Sequence, residues 1–179
     1  MGKKGTVRDS APDRTTWTSK PGRSVRRVTT LGALRQLAPV WDDLVEKSSP
    51  PNIFQTLDWL LAWWEAYGSD HSLYVLAIES DGQPAGFAPL MLTEWRGPLG
   101  QRRVIQFIGT PQADYGDFVG PDKRLVIETV LDYLRDHRDD WTEVDLIEIP
   151  ERSGSIKVLQ ELLGDRSTLH LTRISEYCY

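Results

Sequence analysis

Cysteine is nearly absent from this chain of 179 residues: Cys178, next to the last residue, is the only one. A single cysteine can form neither an intramolecular disulfide nor a cysteine-based zinc site. The histidines at 71, 137 and 170 stand far apart and show none of the spacings of metal-binding motifs. The sequence therefore predicts no metal and a reducing compartment, which we expect to be the cytoplasm.

Long apolar runs are missing as well. The longest, WLLAWW and LYVLAI, fall well short of the roughly 20 apolar residues that a membrane-spanning helix requires. No apolar core of a secretory signal follows the early lysines. We therefore expect no integral membrane segment.

Positive charge is scarce outside the N-terminal segment. Residues 1–27 hold eight Lys and Arg against Asp9 and Asp13, a net charge of +6, so the other 152 residues must carry −11 to give the total of −5. An acidic body lacks the basic face that phosphates require, so we expect no nucleic-acid partner. Because the basic segment has no hydrophobic periodicity, residues 1–24 are predicted to be a disordered tail and residues 25–179 a single domain.

What the chain does contain is a succession of short apolar patterns. Spacings of three and four predict helices at residues 31–48, 56–67, 122–138 and 155–164, the first kinked before Pro39. Shorter apolar runs predict strands at 24–30, 71–80, 84–95, 102–109, 114–120, 143–150 and 168–175, with Asp81-Gly82 as a hairpin turn. This order predicts a mixed α/β fold: a central, mostly antiparallel twisted sheet flanked by helices.

The stretch PPNIFQTLDWLLAWWEAYGSD, residues 50–70, is the most aromatic in the chain. Its helix is apolar over more than half of its circumference, so packing in the core is favoured over ligand stacking. We expect Trp64 in the core. Trp59 and Trp63, one turn apart at the edge of the apolar arc, are candidates for binding an acceptor.

Three segments, PNIFQTLDWLLAWWEAYG, DGQPAGFAPL and FIGTPQADYGDF, resemble the N-terminal half of the CelD/BcsL-type GNAT acyltransferases. That family is associated with cellulose and exopolysaccharide biosynthesis and is distantly similar to the Fem-type aminoacyl transferases. The resemblance spans about residues 25 to 179 and implies a GNAT-like fold. It also implies that this chain corresponds to the first of two GNAT-like halves, with acetyl-CoA or another acyl-CoA bound mainly by the second.

The function implied by the resemblance is transfer of an acyl or acetyl group from CoA to an amine or hydroxyl of a sugar or polysaccharide precursor. The alternative is a non-catalytic, GNAT-like acceptor-binding or scaffold domain that needs a second, CoA-binding half. Either way, we expect a small-molecule or saccharide acceptor, and a second GNAT-like domain in the same or an adjacent chain as partner.

Two short segments have the spacing of a CoA phosphate loop. Such a loop leads into a helix, and its backbone N–H groups bind the phosphate. QPAGFA lies in the expected hairpin and leads to Pro89, so its amides are expected to pair in a sheet and the match is interpreted as chance. QFIGTP has Pro111 where glycine or alanine is needed. The sequence thus assigns no cofactor-binding residue.

Four polar residues are the remaining site candidates. Asp114 and Tyr115 in ADYGDF are predicted to be catalytic, because they could deprotonate an attacking amine or hydroxyl. Asp117 in the same segment and Glu148 in EVDLIEIP are predicted to bind the acceptor. A solvated turn, and a strand end that reaches water, are the structural alternatives for these two segments.

Overall fold

The computed structural model describes residues 18–98 and 100–164, with side chains from residue 21 onward. Cys178 and the strand expected at 168–175 lie outside the described residues. The helices and strands are Thr18–Lys20 (β1), Arg23–Val28 (β2), Leu31–Arg35 (α1), Ala38–Lys47 (α2), Leu57–Tyr67 (α3), His71–Leu73 (β3), Val75–Ser80 (β4), Gln83–Ala88 (β5), Leu90–Gly97 (β6), Gly100–Phe107 (β7), Lys123–Asp136 (α4), Glu143–Val144 (β8) and Ser155–Gly164 (α5).

The strands form two four-stranded sheets that meet in one long hairpin. Their orders are β1-β2-β4-β5 and β3-β6-β7-β8. One arm of the hairpin consists of β3 and β4, and the other consists of β5 and β6. The pairing register is the same in both sheets, since Leu76 faces Ala88 and Leu73 faces Met91. The division falls at Pro89, which has no N–H to donate.

Every strand pairing in the described part of the chain is antiparallel except that of β7 with β8. The hairpin turns at Asp81 and Gly82, whose φ angles of 51° and 74° are those of a two-residue turn that matches strand twist. The expected mixed α/β class, a mostly antiparallel sheet flanked by helices, is confirmed.

Helices cover both faces of the sheet because β4 is apolar on both. Val75 and Ala77 point to the cluster formed with α1, α2 and α3, whereas Leu76 and Ile78 point to the cluster formed with α4. In the first cluster the rings of Trp41 and Phe87 stack at 4.2 Å. The continuous apolar run is therefore a strand buried between two layers.

The expected helix kink before Pro39 is a complete break, since α1 and α2 are separated at Gln36 and Leu37. Helix α3 ends before Gly68, as predicted, but Gly68 has a right-handed φ of −73°. Glycine is needed there for another reason: a Cβ would lie 2.6 Å from the ring of Trp64.

Two expected strands are shorter than the sequence suggested. Of residues 114–120, only Val119 pairs, in a bridge with Phe87. Of residues 143–150, only Glu143 and Val144 form a strand. The two segments meet beyond Val144, where the N–H of Gly116 donates to the carbonyl of Glu148 at 3.0 Å.

The segment expected to be a tail overlaps the sheet at its C-terminal end. β1 and the first two residues of β2 lie within residues 1–24, and Lys20 pairs with Arg23 across a tight turn. Residues 1–17 lie outside the described part of the chain.

Candidate functional site

The candidate site lies where the parallel strands β7 and β8 end. The crevice beyond the carboxyl ends of parallel strands is where α/β proteins commonly bind ligands. Here residues 115–119 cross the region beyond these strand ends. They are held on one side by the bond from Gly116 to Glu148 and on the other by two bonds of 2.9 and 2.8 Å between Phe87 and Val119.

Three half-buried aromatic side chains form what we call the aromatic site: Phe54, Trp59 and Tyr115. Phe54 meets Trp59 edge to face at 5.1 Å and Tyr115 at 6.1 Å between ring centres. The guanidinium carbon of the exposed Arg152 lies 5.7 Å from the centre of the Tyr115 ring. The site therefore combines partly exposed ring surface with a neighbouring positive charge.

Gly109 lets Trp59 approach the loop that precedes Tyr115. A Cβ at Gly109 would lie 2.8 Å from Cη2 of Trp59 and 2.9 Å from Cβ of Ala113. The φ of Gly109, +109°, is also one that side-chain-bearing residues rarely adopt. The glycine of QFIGTP thus serves close packing of a tryptophan.

Asp114 is exposed beside Tyr115, so the two predicted catalytic residues do lie at the aromatic site. A carboxylate at the rim of an aromatic surface can accept hydrogen bonds from the hydroxyl or ammonium groups of a ligand. Glu148 is half-buried with a left-handed φ of 58°, and its backbone is tied to the residue after Tyr115. Asp114, Tyr115 and Glu148 therefore all stay candidates for the site.

Asp117 lies below the surface of the aromatic site. It is 2% exposed and its Oδ2 is 3.1 Å from Nζ of Lys123, whose side chain is 11% exposed. A side chain so covered does not offer itself to an acceptor from solvent. The structure therefore gives Asp117 an ion pair inside the protein instead of the exposed place that acceptor binding requires.

Trp63 also differs from the expectation that it lies at the edge of the apolar arc. It is 5% exposed, and its Nε1 donates to Oε1 of Gln112 at 3.1 Å. Tyr67 and His71 approach its ring at 5.6 and 5.8 Å. Trp59 is the tryptophan of this helix that borders the site.

Sequence reasoning missed Phe54 and Arg152, which the structure brings to the aromatic site. Phe54 belongs to the same tryptophan-rich stretch as Trp59 and stands three residues before α3. That position could have marked it as a neighbour of Trp59. Arg152 had none, because it reaches Tyr115 only through the turn that precedes α5.

The pKa shifts of the described residues fall outside the aromatic site. Burial lowers the pKa of His71 below its ordinary value of 6.5. Burial also raises the pKa of Tyr74 and of Tyr133, which meet edge to face at 6.3 Å. The Tyr74 hydroxyl donates to Asp140 at 3.1 Å, so this hydrogen bond links the hairpin to the segment that follows α4.

The described residues do not fit the pyrophosphate of acyl-CoA. QPAGFA is strand β5, as expected, and a Cβ at Gly86 would lie 2.4 Å from Val126 and 2.5 Å from the carbonyl oxygen of Val119. Protein atoms therefore occupy the space beside Gly86 that a phosphate would need. In QFIGTP, Gln106 accepts from Thr93 at 3.2 Å and faces Asp145.

Helix α4, which follows residues 115–119, has its first turn occupied as well. Asp122 caps it by accepting from the N–H of Leu125 at 2.9 Å. A carboxylate at this position meets the helix dipole and repels a phosphate that would do the same. Within residues 18–98 and 100–164, moreover, no group of three His, Cys, Asp or Glu could hold a metal, and no helix is long and apolar enough to cross a membrane.

No family model matches the sequence, and no curated protein matches it. Solved structures that are similar include the ribosomal-protein-alanine N-acetyltransferase of Brucella melitensis biovar Abortus, 13% identical with a TM-score of 0.45 over 88% of this chain and 97% of that one. A GNAT family acetyltransferase of Staphylococcus aureus is 11% identical, with a TM-score of 0.44 over 88% and 98% of the two chains.

An aminoglycoside acetyltransferase from an uncultured soil metagenomic sample is 8% identical, with a TM-score of 0.45 over 88% and 98%. These proteins are acetyltransferases of the kind whose fold the sequence led us to expect. At such identities and TM-scores, no activity or acceptor of this chain follows from the likeness. The finer assignment to the CelD/BcsL-type family stays a prediction.

Proposed function

We propose that this chain supplies the acceptor-binding side of a GNAT-type, acyl-CoA-dependent acyltransferase of the CelD/BcsL kind, acting in the cytoplasm. The acceptor would be an amine or hydroxyl of a sugar or polysaccharide precursor. The observation that carries the proposal is the aromatic site with Asp114 at its rim, at the carboxyl ends of β7 and β8. Ligand sites typically combine such apolar surface with a few convergent polar groups.

Each residue has a distinct part in this proposal. Trp59 and Tyr115 offer ring surface against which the apolar face of a pyranose can lie. Asp114 accepts a hydrogen bond from the acceptor's amine or hydroxyl and is placed to take its proton. Arg152, over the Tyr115 ring, holds that ring at the site and attracts an acceptor that carries a phosphate or carboxylate.

The cofactor is assigned to a second GNAT-like domain, in the same or an adjacent chain. Support for this comes from residues 115–119, which are bonded to Glu148 on one side and to Phe87 on the other, and from the carboxylate cap of α4. The same two observations favour the second candidate, a non-catalytic acceptor-binding or scaffold domain. The two candidates differ in whether Asp114 takes a proton.

Acceptor binding is tested by NMR titration of the full chain with glucosamine and, separately, with cellobiose. We expect the Trp59 indole N–H and the amides of residues 114–116 to shift, and Trp59→Ala to abolish the shifts. Trp95→Ala is the matched control, because Trp95 is also partly exposed, at 49%, but lies on β6 beside Arg102. Shifts that are absent, or that vanish equally in both variants, would contradict the proposal.

Catalysis is tested separately by mass spectrometry of glucosamine incubated with acetyl-CoA and the chain. We expect no acetylated product above the uncatalysed background from this chain alone. Turnover by the chain alone would show that the cofactor does bind here. Once a CoA-binding partner domain is added, loss of turnover in Asp114→Asn with glucosamine shifts retained would distinguish the catalytic role from simple binding.

A further inference from the structure

A buried polar group lies directly under the aromatic site. The carbonyl oxygen of Phe118 accepts from Nε2 of Gln55 at 3.0 Å and also from Nζ of Lys123. The same ammonium lies 3.1 Å from Asp117. We call Gln55, Asp117 and Lys123 the buried anchor.

Within the buried anchor, Gln55 joins the two segments that carry the aromatic site. Gln55 follows Phe54 directly, and its backbone carbonyl accepts from Nε1 of Trp41 at 2.8 Å. Asp117 stands two residues after Tyr115. The bond from Gln55 to Phe118 ties the turn that bears Phe54 to the segment that bears Tyr115. The contacts of Lys123 with Phe118 and Asp117 tie that same segment to the first turn of α4.

An ion pair so far from water is costly to keep. Gln55 and Asp117 are 1% and 2% exposed, and moving charges out of water carries a desolvation penalty that apolar side chains of similar size avoid. Within the described residues, Oδ1 of Asp117 and Oε1 of Gln55 also have no hydrogen-bond partner. Fold stability alone therefore does not explain why these three polar residues occupy buried positions.

We propose that Gln55, Asp117 and Lys123 are positioning residues for the aromatic site. They fix Phe54 and Tyr115 edge to face before an acceptor arrives, so that binding does not have to pay for ordering the two segments. This inference rests on the proposed function of the aromatic site and adds to it a second set of residues that touch no ligand.

The test compares three variants of the full chain. Lys123→Met removes the ammonium and leaves Asp117 as an unpaired buried charge, so it will also lower stability. Combining Asp117→Asn with Lys123→Met removes both charges, which restores much of the melting temperature. Lys47→Met is the matched control, because the Lys47–Asp43 pair has a similar distance of 2.6 Å but side chains 58% and 55% exposed.

Three measurements separate positioning from stability: the melting temperature, hydrogen exchange of the Gly116 and Val119 amides, and glucosamine affinity by NMR. For the double variant we expect recovered melting, with exchange about tenfold faster at residues 115–119 and glucosamine binding about tenfold weaker than in the wild type. Lys47→Met should change none of the three.

Recovery of exchange protection and affinity together with melting in the double variant would overturn the inference for Asp117 and Lys123, since their ion pair would then be structural only. If the wild-type chain fails to bind glucosamine, the proposed function fails, whereas the exchange rates and the ring contact of Phe54 with Tyr115 still decide whether the anchor positions the site.

Discussion

The N–H of Gly116 donates to the carbonyl oxygen of Glu148 at 3.0 Å, and Glu148 has a φ of 58°. This bond joins two segments that are distant in sequence at the end of the parallel strands. A side chain in the left-handed region crowds the backbone at a cost of about 1–2 kcal/mol. Glu148 is thus kept in a strained conformation beside the aromatic site, as residues at functional sites often are.

Relief of this strain is the first prediction. Glu148→Gly and Glu148→Ala both remove the carboxylate, but only glycine adopts the left-handed conformation freely. We expect Glu148→Gly to be more stable than Glu148→Ala by about 1 kcal/mol in urea unfolding. Equal midpoints with equal slopes would contradict the left-handed conformation of this residue.

The second prediction concerns the three tryptophans of α3. Trp63 is 5% exposed whereas Trp59 and Trp64 are half-buried, so truncation of Trp63 leaves the largest cavity. We expect Trp63→Ala to cost about 3–5 kcal/mol and each of the others less. Urea unfolding of the three variants gives the order. A larger loss for Trp64→Ala would instead support the expectation that Trp64 lies in the core.

The third prediction uses two glycines with opposite surroundings. A Cβ at Gly86 would lie 2.4 Å from Val126 and 2.5 Å from the carbonyl of Val119, whereas a Cβ at Gly32 in α1 would meet no atom within 4 Å beyond its chain neighbours and the backbone of its own helix. Gly86→Ala should cost about 1–3 kcal/mol through overpacking. Gly32→Ala should instead gain up to about 1 kcal/mol from helix propensity. Thermal unfolding that leaves the two variants equal would argue against the packing at Gly86.

The fourth prediction is a pH dependence that comes from His71. Burial lowers its pKa in the folded state below 6.5, and Nδ1 lies 2.8 Å from the hydroxyl of Thr93. Between the folded and unfolded pKa values the unfolded chain binds more protons, so the contribution of His71 to stability is present above pH 6.5 and is lost as the pH falls through the folded pKa.

Unfolding free energies at pH 7.5 and 5.5, for the wild type and for His71→Gln, measure this contribution. We expect a smaller pH difference in His71→Gln, because glutamine keeps hydrogen-bonding capacity but does not titrate in this range. An unchanged difference would mean that other groups cause the pH dependence.

The local pattern of the sequence determined most of the elements. Helical spacing found α2, α3, α4 and α5, and the two residues Asp81 and Gly82 were enough to place the hairpin. These features depend on side chains within one or two turns of one another, or on the few residues of a turn, so a single sequence contains the whole signal. The acidic charge balance and the aromatic stretch were equally visible.

Only the tertiary structure decided how the candidate site is assembled. The bond between Gln55 and Phe118 spans 63 positions, and no pattern near either residue predicts the contact. The same holds for the ion pair of Asp117 with Lys123 and for the burial of Trp63 in place of Trp64. Contacts of this kind arise when distant segments are packed together, because burial and pairing depend on what the rest of the chain places there.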